Sequence, residues 1–281
     1  MKMKNNKLLL LLILLVAVLP GAALAKQFSG TNFPNPPTAE SHPNILFVGN
    51  SLTYMNGDMP EVLAALCKTM NIRCCINEHT VGGCTLARFA NPAREGQNLE
   101  TVLKKGVWDC VVLQGNSVEA ISAEPMFAEL RPAVITLDKK IKQYNPNCKT
   151  VLFSTVAHVD TLEKTAEIYA NYKKVGAEIG AMVVPCGPAW LKLGPNNDRK
   201  KIEFLFATKT NPKDRKHPSP YGALLNAYVF YGALFGKDPK DIHVAVAVNG
   251  KPAEAKIADR LKAAAQQTLI ECNLLKPKDS K

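Results

Sequence analysis

Asn44-Ile45-Leu46-Phe47-Val48-Gly49-Asn50-Ser51-Leu52-Thr53 is the stretch whose reading decides the fold. The apolar run from Ile45 to Val48 stops at Gly-Asn-Ser, and a helical pattern opens soon after at Asp58-Met59-Pro60-Glu61. A strand buried on both faces of a parallel sheet reads as such an uninterrupted apolar run. In open α/β folds, ligands bind at the loop leaving the carboxyl end of a strand of this kind. Ser51 in that loop is therefore a candidate nucleophile, provided that the chain supplies a base.

The same alternation recurs downstream. Asp58 suits a helix cap and Pro60 a first turn, and Val62, Leu63, Leu66 and Met70 follow at helical spacing. Further strands are expected over 73–81, 108–113, 150–153 and 181–184. Helices are expected around Leu99, Val102 and Leu103, and over 127–144, 162–179 and 221–235. The stretch after Gly194 is less regular. The Ala- and Leu-rich run over 255–275 is expected to pack across the outside of the sheet. Strands alternating with helices give βαβ units, hence a parallel sheet of about five strands with helices on both faces. Right-handed crossovers then limit the topology.

The amino terminus reads as an export signal. A basic start with Lys2, Lys4 and Lys7 precedes an apolar core from Leu8 to Leu19, then Pro20-Gly21 and the small-residue site Ala23-Leu24-Ala25. Residues 1–25 are expected to be cleaved, leaving a periplasmic or secreted protein without stable membrane insertion. The apolar stretch is short against the ~20 residues of a span. Residues 26–43 form an irregular lead-in rich in Pro, Ser, Asn and Thr, and 44–281 is read as one domain.

The formal charge is +11, and the three lysines of the signal lower it to +8 in the mature chain. Nucleic-acid binding would cluster that charge with aromatic residues. Here the lysines are spread out, so a generally basic surface is expected and no nucleic-acid partner. The 8 cysteines are too sparse for a disulfide framework, and no Cys-x-x-Cys occurs. Pairing among Cys67, Cys74 and Cys75 stays open, and Cys110 reads as a small core residue. Nothing in the sequence assigns an oligomeric state.

Three polar clusters follow three apolar strands: Gly49-Asn50-Ser51, Gly82-Gly83 and Gly115-Asn116. In a parallel sheet all three stand at one carboxyl edge, where glycine N–H groups and an amide side chain can form an oxyanion hole. The base must come from His42, His79, His158, His217 or His243. His217 stands out because Asp214 precedes it by three residues, a spacing that can fold the carboxylate back onto the imidazole. His158, near Asp160, is the second choice.

These blocks resemble those of the SGNH/GDSL hydrolases: Val48-Gly49-Asn50-Ser51-Leu52-Thr53, Gly83, Gln114-Gly115-Asn116-Ser117 and Asp214-Arg215-Lys216-His217-Pro218-Ser219. The likeness is greatest to a bacterial branch with Gly-Asn-Ser in its first block and Asp-x-x-His-Pro-Ser in its last. It implies a flavodoxin-like three-layer α/β/α sandwich, a serine esterase mechanism, no metal and no cofactor. By resemblance, Ser51 is the nucleophile, His217 the base and Asp214 its orienting partner. The oxyanion is held by the N–H of Ser51, the N–H of Gly83 (or of its neighbour Gly82) and the side chain of Asn116. Tyr54, Gln114 and His158 are expected to line the substrate. Asn50 replaces the family's commoner Asp.

The resemblance makes a small-molecule or polysaccharide ester the expected substrate, with O-acetyl groups on a carbohydrate leading. A lipase or thioesterase, or a binding module retaining the fold, are the alternatives. Trp108, Trp190 and Tyr54 are weighed as sugar platforms against plain core or rim packing.

Overall fold

Residues 42–93, 95–243, 246–248 and 251–277 are described in the computed structural model. The segment read as an export signal, 1–25, and nearly all of the stretch read as a lead-in, 26–43, lie outside the described residues. Five strands lie side by side: β1 (Asn44–Gly49), β2 (Cys75–Thr80), β3 (Cys110–Leu113), β4 (Lys149–Phe153) and β5 (Met182–Val184). Their order is β2-β1-β3-β4-β5, and every pairing is parallel. The chain builds outward from β1 in one direction and then returns past it. The carboxyl ends of β1 and β3 therefore flank the point where the winding reverses, the place where such sheets bind ligands.

Side-chain alternation along the strands divides the core in two. Ile45, Phe47, Val112, Val151 and Phe153 pack on one face, and Leu46, Val48, Val111, Leu113 and Leu152 on the other. The helices between β1 and β3 are α1 (Ser51–Tyr54), α2 (Met59–Thr69), α3 (Leu86–Ala90) and α4 (Leu99–Lys105). After them come α5 (Phe127–Tyr144), α6 (Lys164–Ile179), α7 (Cys186–Leu193), α8 (Arg199–Ile202) and α9 (Pro220–Phe235). A short antiparallel pair, β6 (Ala247–Val248) and β7 (Lys251–Pro252), precedes α10 (Ala255–Glu271). Helices α2, α7, α9 and α10 contribute to the first face, and α3 to α6 to the second. The result is the expected three-layer α/β/α sandwich.

The helix α9 anchors the first face. Ser219 caps it by accepting from the Gly222 N–H, and every residue from Gly222 to Phe235 is buried. A helix apolar all round belongs inside a layer rather than on a surface. Phe230 presents its ring edge-on to Phe47 at 5.1 Å and to Phe153 at 4.9 Å. Because α9 occupies the sheet face, α10 packs on α9 and α7 instead of directly across the sheet. This corrects the expectation for 255–275.

Helices α3 and α7 form where the sequence pattern predicted no helix. Thr85 caps α3 by accepting from the Arg88 N–H, and α7 begins directly after Pro185 with Pro188 in its first turn, where proline is tolerated. Each of the eight cysteines is a free thiol. Among the described residues no helix is long and apolar enough to cross a membrane.

Candidate active site

The turn after β1 is shaped by what packs under it. A side chain at Gly49 would place its Cβ 2.6 Å from Gln114 Oε1 and 2.8 Å from Thr53 Oγ1, so only glycine fits. Gln114 Oε1 accepts from the Asn50 N–H and from the Thr53 hydroxyl, both at 2.9 Å. Asn50 Oδ1 accepts from the Leu52 N–H and starts the short helix α1, while its Nδ2 donates to the Cys84 carbonyl at 2.8 Å. Ser51 is thereby held, half-exposed, at the carboxyl edge of the sheet.

The loop before α9 brings the histidine. The Asp214 carboxylate accepts from the backbone N–H groups of Lys216 and His217, which folds the intervening turn. The same carboxylate lies 3.0 and 2.9 Å from His217 Nδ1 through its two oxygens. On the other side of the ring, His217 Nε2 is 2.8 Å from Ser51 Oγ. The assigned tautomer therefore has Nδ1–H donating to Asp214 and Nε2 accepting from the Ser51 hydroxyl. The loop is braced from outside: Ala207 N–H donates to the His217 carbonyl, Ser219 N–H to Leu205, and Val159 N–H to Arg215. Burial alone would raise the Asp214 pKa, but the hydrogen bonds from His217 and Lys216 outweigh it and hold the carboxyl below its ordinary value. Asp214 is thus an anion across the neutral range, able to stabilise an imidazolium at His217.

Two neighbouring loops carry the remaining polar groups. Gly83 sits in the left-handed region at φ +66°, with open space around the position its Cβ would take. At Gly82 the same position lies 3.3 Å from the Tyr54 hydroxyl. Only Gly83 has both the left-handed backbone and the clear space for a ligand. Asn116 follows β3, and its Oδ1 lies 3.3 Å from both the Val118 N–H and the Ser117 hydroxyl. Among the described residues no protein acceptor meets Asn116 Nδ2 or the N–H groups of Ser51 and Gly83.

Glu119 ties these loops together. It is completely buried, and its carboxylate accepts from the N–H groups of Asn116 at 2.7 Å, Leu86 at 2.9 Å and Ala87 at 3.4 Å. Burial raises its pKa, and the three backbone donors offset part of that rise. The sequence showed no reason to select Glu119, because its partners are backbone groups, and Leu86 and Ala87 belong to a loop more than thirty positions away.

The residues expected to line the substrate separate into different roles. Gln114 is buried, and its amide is spent on the Ser51 turn and on the Gly115 carbonyl, so it supports that turn rather than facing a ligand. Tyr54 is half-buried beside Gly82. His158 lines a hollow of about 490 Å³ beside His217 that also takes in Met55, Lys213 and Lys216. The second candidate dyad does not form: Asp160 is held by Arg199 and Arg215, whereas His158 Nε2 faces Ser117 Oγ at 2.8 Å. Neither tryptophan is a sugar platform. Trp190 is buried with its Nε1 donating to Asn226, and Trp108 precedes β3 at the opposite edge of the sheet.

Compared by sequence, the chain matches no protein-family model and no curated protein. Compared by structure, it is similar to a protein of Slackia heliotrinireducens assigned to the SGNH hydrolases, at 25% identity and a TM-score of 0.54. That match covers 68% of this chain and 97% of the other. The fold is that of the SGNH hydrolases. A DUF4886 family protein from Bacteroides uniformis superposes more extensively, with a TM-score of 0.68 over 84% of this chain and 98% of that one, at 15% identity. A carbohydrate esterase family 3 protein from Talaromyces cellulolyticus matches at 9% identity and a TM-score of 0.53, covering 69% of this chain and 97% of its own. At such identities these two likenesses concern fold alone.

Proposed function

We propose that this protein hydrolyses esters through a covalent acyl-enzyme formed on Ser51. The observation that carries the reading is the continuous chain Ser51 Oγ, His217 Nε2, His217 Nδ1, Asp214 Oδ2, with links of 2.8 and 2.9 Å. His217 takes the Ser51 proton as Oγ attacks the ester carbonyl, and Asp214 stabilises the imidazolium. The oxyanion is received by the N–H groups of Ser51 and Gly83 and by Asn116 Nδ2. His217 then protonates the leaving alcohol, and a water molecule repeats the cycle to release the acid.

The leaving alcohol must lie on the His217 side, because His217 delivers its proton. The hollow on that side is lined by Met55, Asn211, His158, Lys213, Arg215 and Lys216, whose side-chain carbons give it a mostly apolar surface around a few polar groups. The amide, imidazole and ammonium groups along it can hydrogen-bond a hydroxyl-rich alcohol, the reason for taking an O-acetylated carbohydrate as the proposed substrate class. The export signal read at 1–25 agrees with a polysaccharide met outside the cytoplasm. Turnover of p-nitrophenyl acetate by the wild-type protein, its loss in Ser51→Ala, and fluorophosphonate labelling at Ser51 test the reaction. A wild-type protein that neither turns over nor labels overturns it. Acetate release from acetylated xylan, compared with short and long acyl esters, tests the substrate.

A further inference from the structure

Asn116 is useful to an oxyanion only in one of its two amide orientations. Rotating the carboxamide by half a turn would present Oδ1, not Nδ2, to the developing negative charge and convert attraction into repulsion. Something must distinguish the two ends. The Ser117 hydroxyl lies 3.3 Å from Asn116 Oδ1 and 2.8 Å from His158 Nε2, and the Val118 N–H also meets Oδ1 at 3.3 Å. Ser117 is buried, so its hydroxyl has no bulk water to turn to. It has a single proton. If that proton goes to Asn116, the 2.8 Å contact with His158 is satisfied only when Nε2 carries a hydrogen and donates to Ser117 Oγ.

We infer that His158 and Ser117 are positioning residues for the oxyanion hole, forming a directed chain from His158 Nε2–H to Ser117 Oγ–H to Asn116 Oδ1. The chain pins Oδ1 between two donors and leaves Nδ2 to face the reacting carbonyl. With His158 Nε2 donating to Ser117 Oγ, a reversed amide would set its NH₂ against the Val118 N–H and leave the Ser117 hydroxyl hydrogen without an acceptor, at the cost of unmade hydrogen bonds in a partly buried place. His158 can hold this post because burial, and then the nearby Lys216 charge, keep its ring neutral with one N–H to place. Its loop is anchored in turn, since the Val159 N–H donates to the Arg215 carbonyl, two residues before His217. The inference rests on the esterase reading above, because only an oxyanion gives the orientation of Asn116 a kinetic consequence.

A double-mutant cycle with p-nitrophenyl acetate tests it. Ser117→Ala and His158→Ala should each lower kcat roughly 10-fold with KM little changed, a smaller loss than Asn116→Ala. His158→Gln, whose amide can still donate, should recover most of that activity. In an Asn116→Ala background, Ser117→Ala should have no further effect, because there is no amide left to orient. An equal fold-loss with and without Asn116 would overturn the inference and leave the esterase reading intact. Wild-type protein with no turnover and no fluorophosphonate labelling would remove that reading itself. If Ser117→Ala fails to fold, the His158 pair of variants decides the matter on the same criteria.

Discussion

Asn50 Nδ2 donates to the carbonyl oxygen of Cys84 across 2.8 Å, joining the turn of Ser51 to the loop that carries Gly83. Asn50 is 2% exposed, so the bond is made out of water and fixes the separation of the two loops. An aspartate could keep the cap on α1 through one oxygen but would turn the other against the Cys84 carbonyl. Asn50→Ala should lose about 1–2 kcal/mol of stability and roughly 10-fold in kcat, and Asn50→Asp at least as much near neutral pH. Urea unfolding and p-nitrophenyl acetate kinetics measure both. Wild-type behaviour in Asn50→Asp would show that the link to Cys84 is dispensable.

Ser51→Ala removes the only nucleophile in the proposed chain and should abolish turnover. Asn116→Ala should lower kcat by about 10²–10³-fold, while the loss of the two 3.3 Å bonds to Oδ1 lowers stability by only about 1 kcal/mol. A loss confined to KM would mean that Asn116 binds the ground state rather than the oxyanion.

Asp214→Asn keeps the shape of the loop but offers His217 Nδ1 an amide in place of an anion. It should lower kcat by about 10³–10⁴-fold, through the wrong tautomer and an unstabilised imidazolium. Pre-steady-state measurement of the p-nitrophenol burst separates this loss from one in deacylation. A variant within ten-fold of wild type would remove Asp214 from the proposed mechanism.

Glu119 accepts on both oxygens from backbone N–H groups of two loops, so a carboxamide cannot replace it. In Glu119→Gln an NH₂ group must face a backbone donor, either that of Asn116 or those of Leu86 and Ala87. The expected result is about 1–3 kcal/mol of lost stability and a lower kcat, as the Gly83 and Asn116 loops separate. Equal stability of the variant would show that the loops are held by other contacts.

Burial holds His79 and His158 below the ordinary histidine pKa, and Lys216 adds to the effect at His158. The folded chain therefore binds fewer protons at these rings than the unfolded chain does. Their contribution to stability is present above about pH 6.5 and is lost as pH falls through the lower folded-state values. Asp214, also held below its ordinary value, acts in the same direction further down the scale. Glu119 acts in the opposite sense: its contribution is greatest below the ordinary carboxylate pKa and declines as pH rises through the raised one. A thermal midpoint that drops between pH 8 and pH 5, and drops less in His158→Gln, is the expected outcome. A midpoint independent of pH over that range would contradict it.

Much of this architecture was legible in local pattern. The doubly buried run Ile45–Val48, its counterparts at Val111–Leu113 and Val151–Phe153, and the helical spacing of 127–144 need only burial and period to be read. The turn chemistry of Asp58 and Pro60 announced the start of α2. Helices α3 and α7 escaped, being short and opened by residues that also make loops. The inner place of α9 was not assigned, because a uniformly apolar helix does not say which layer will cover it.

The site divides in the same way. Residue types and spacing alone selected Asp214 and His217, since a carboxylate three residues before a histidine can close its own turn. They also selected Ser51, as a serine at the end of a buried strand. What required the tertiary structure was every contact across long sequence separation. Gln114 supports the Ser51 turn, Glu119 joins two loops, and His158 meets Ser117 while Asp160 goes to two arginines. A hydrogen bond between residues far apart leaves no periodic trace in the chain. It exists only once the sheet has placed β1 beside β3 and set their carboxyl ends against the loop before α9.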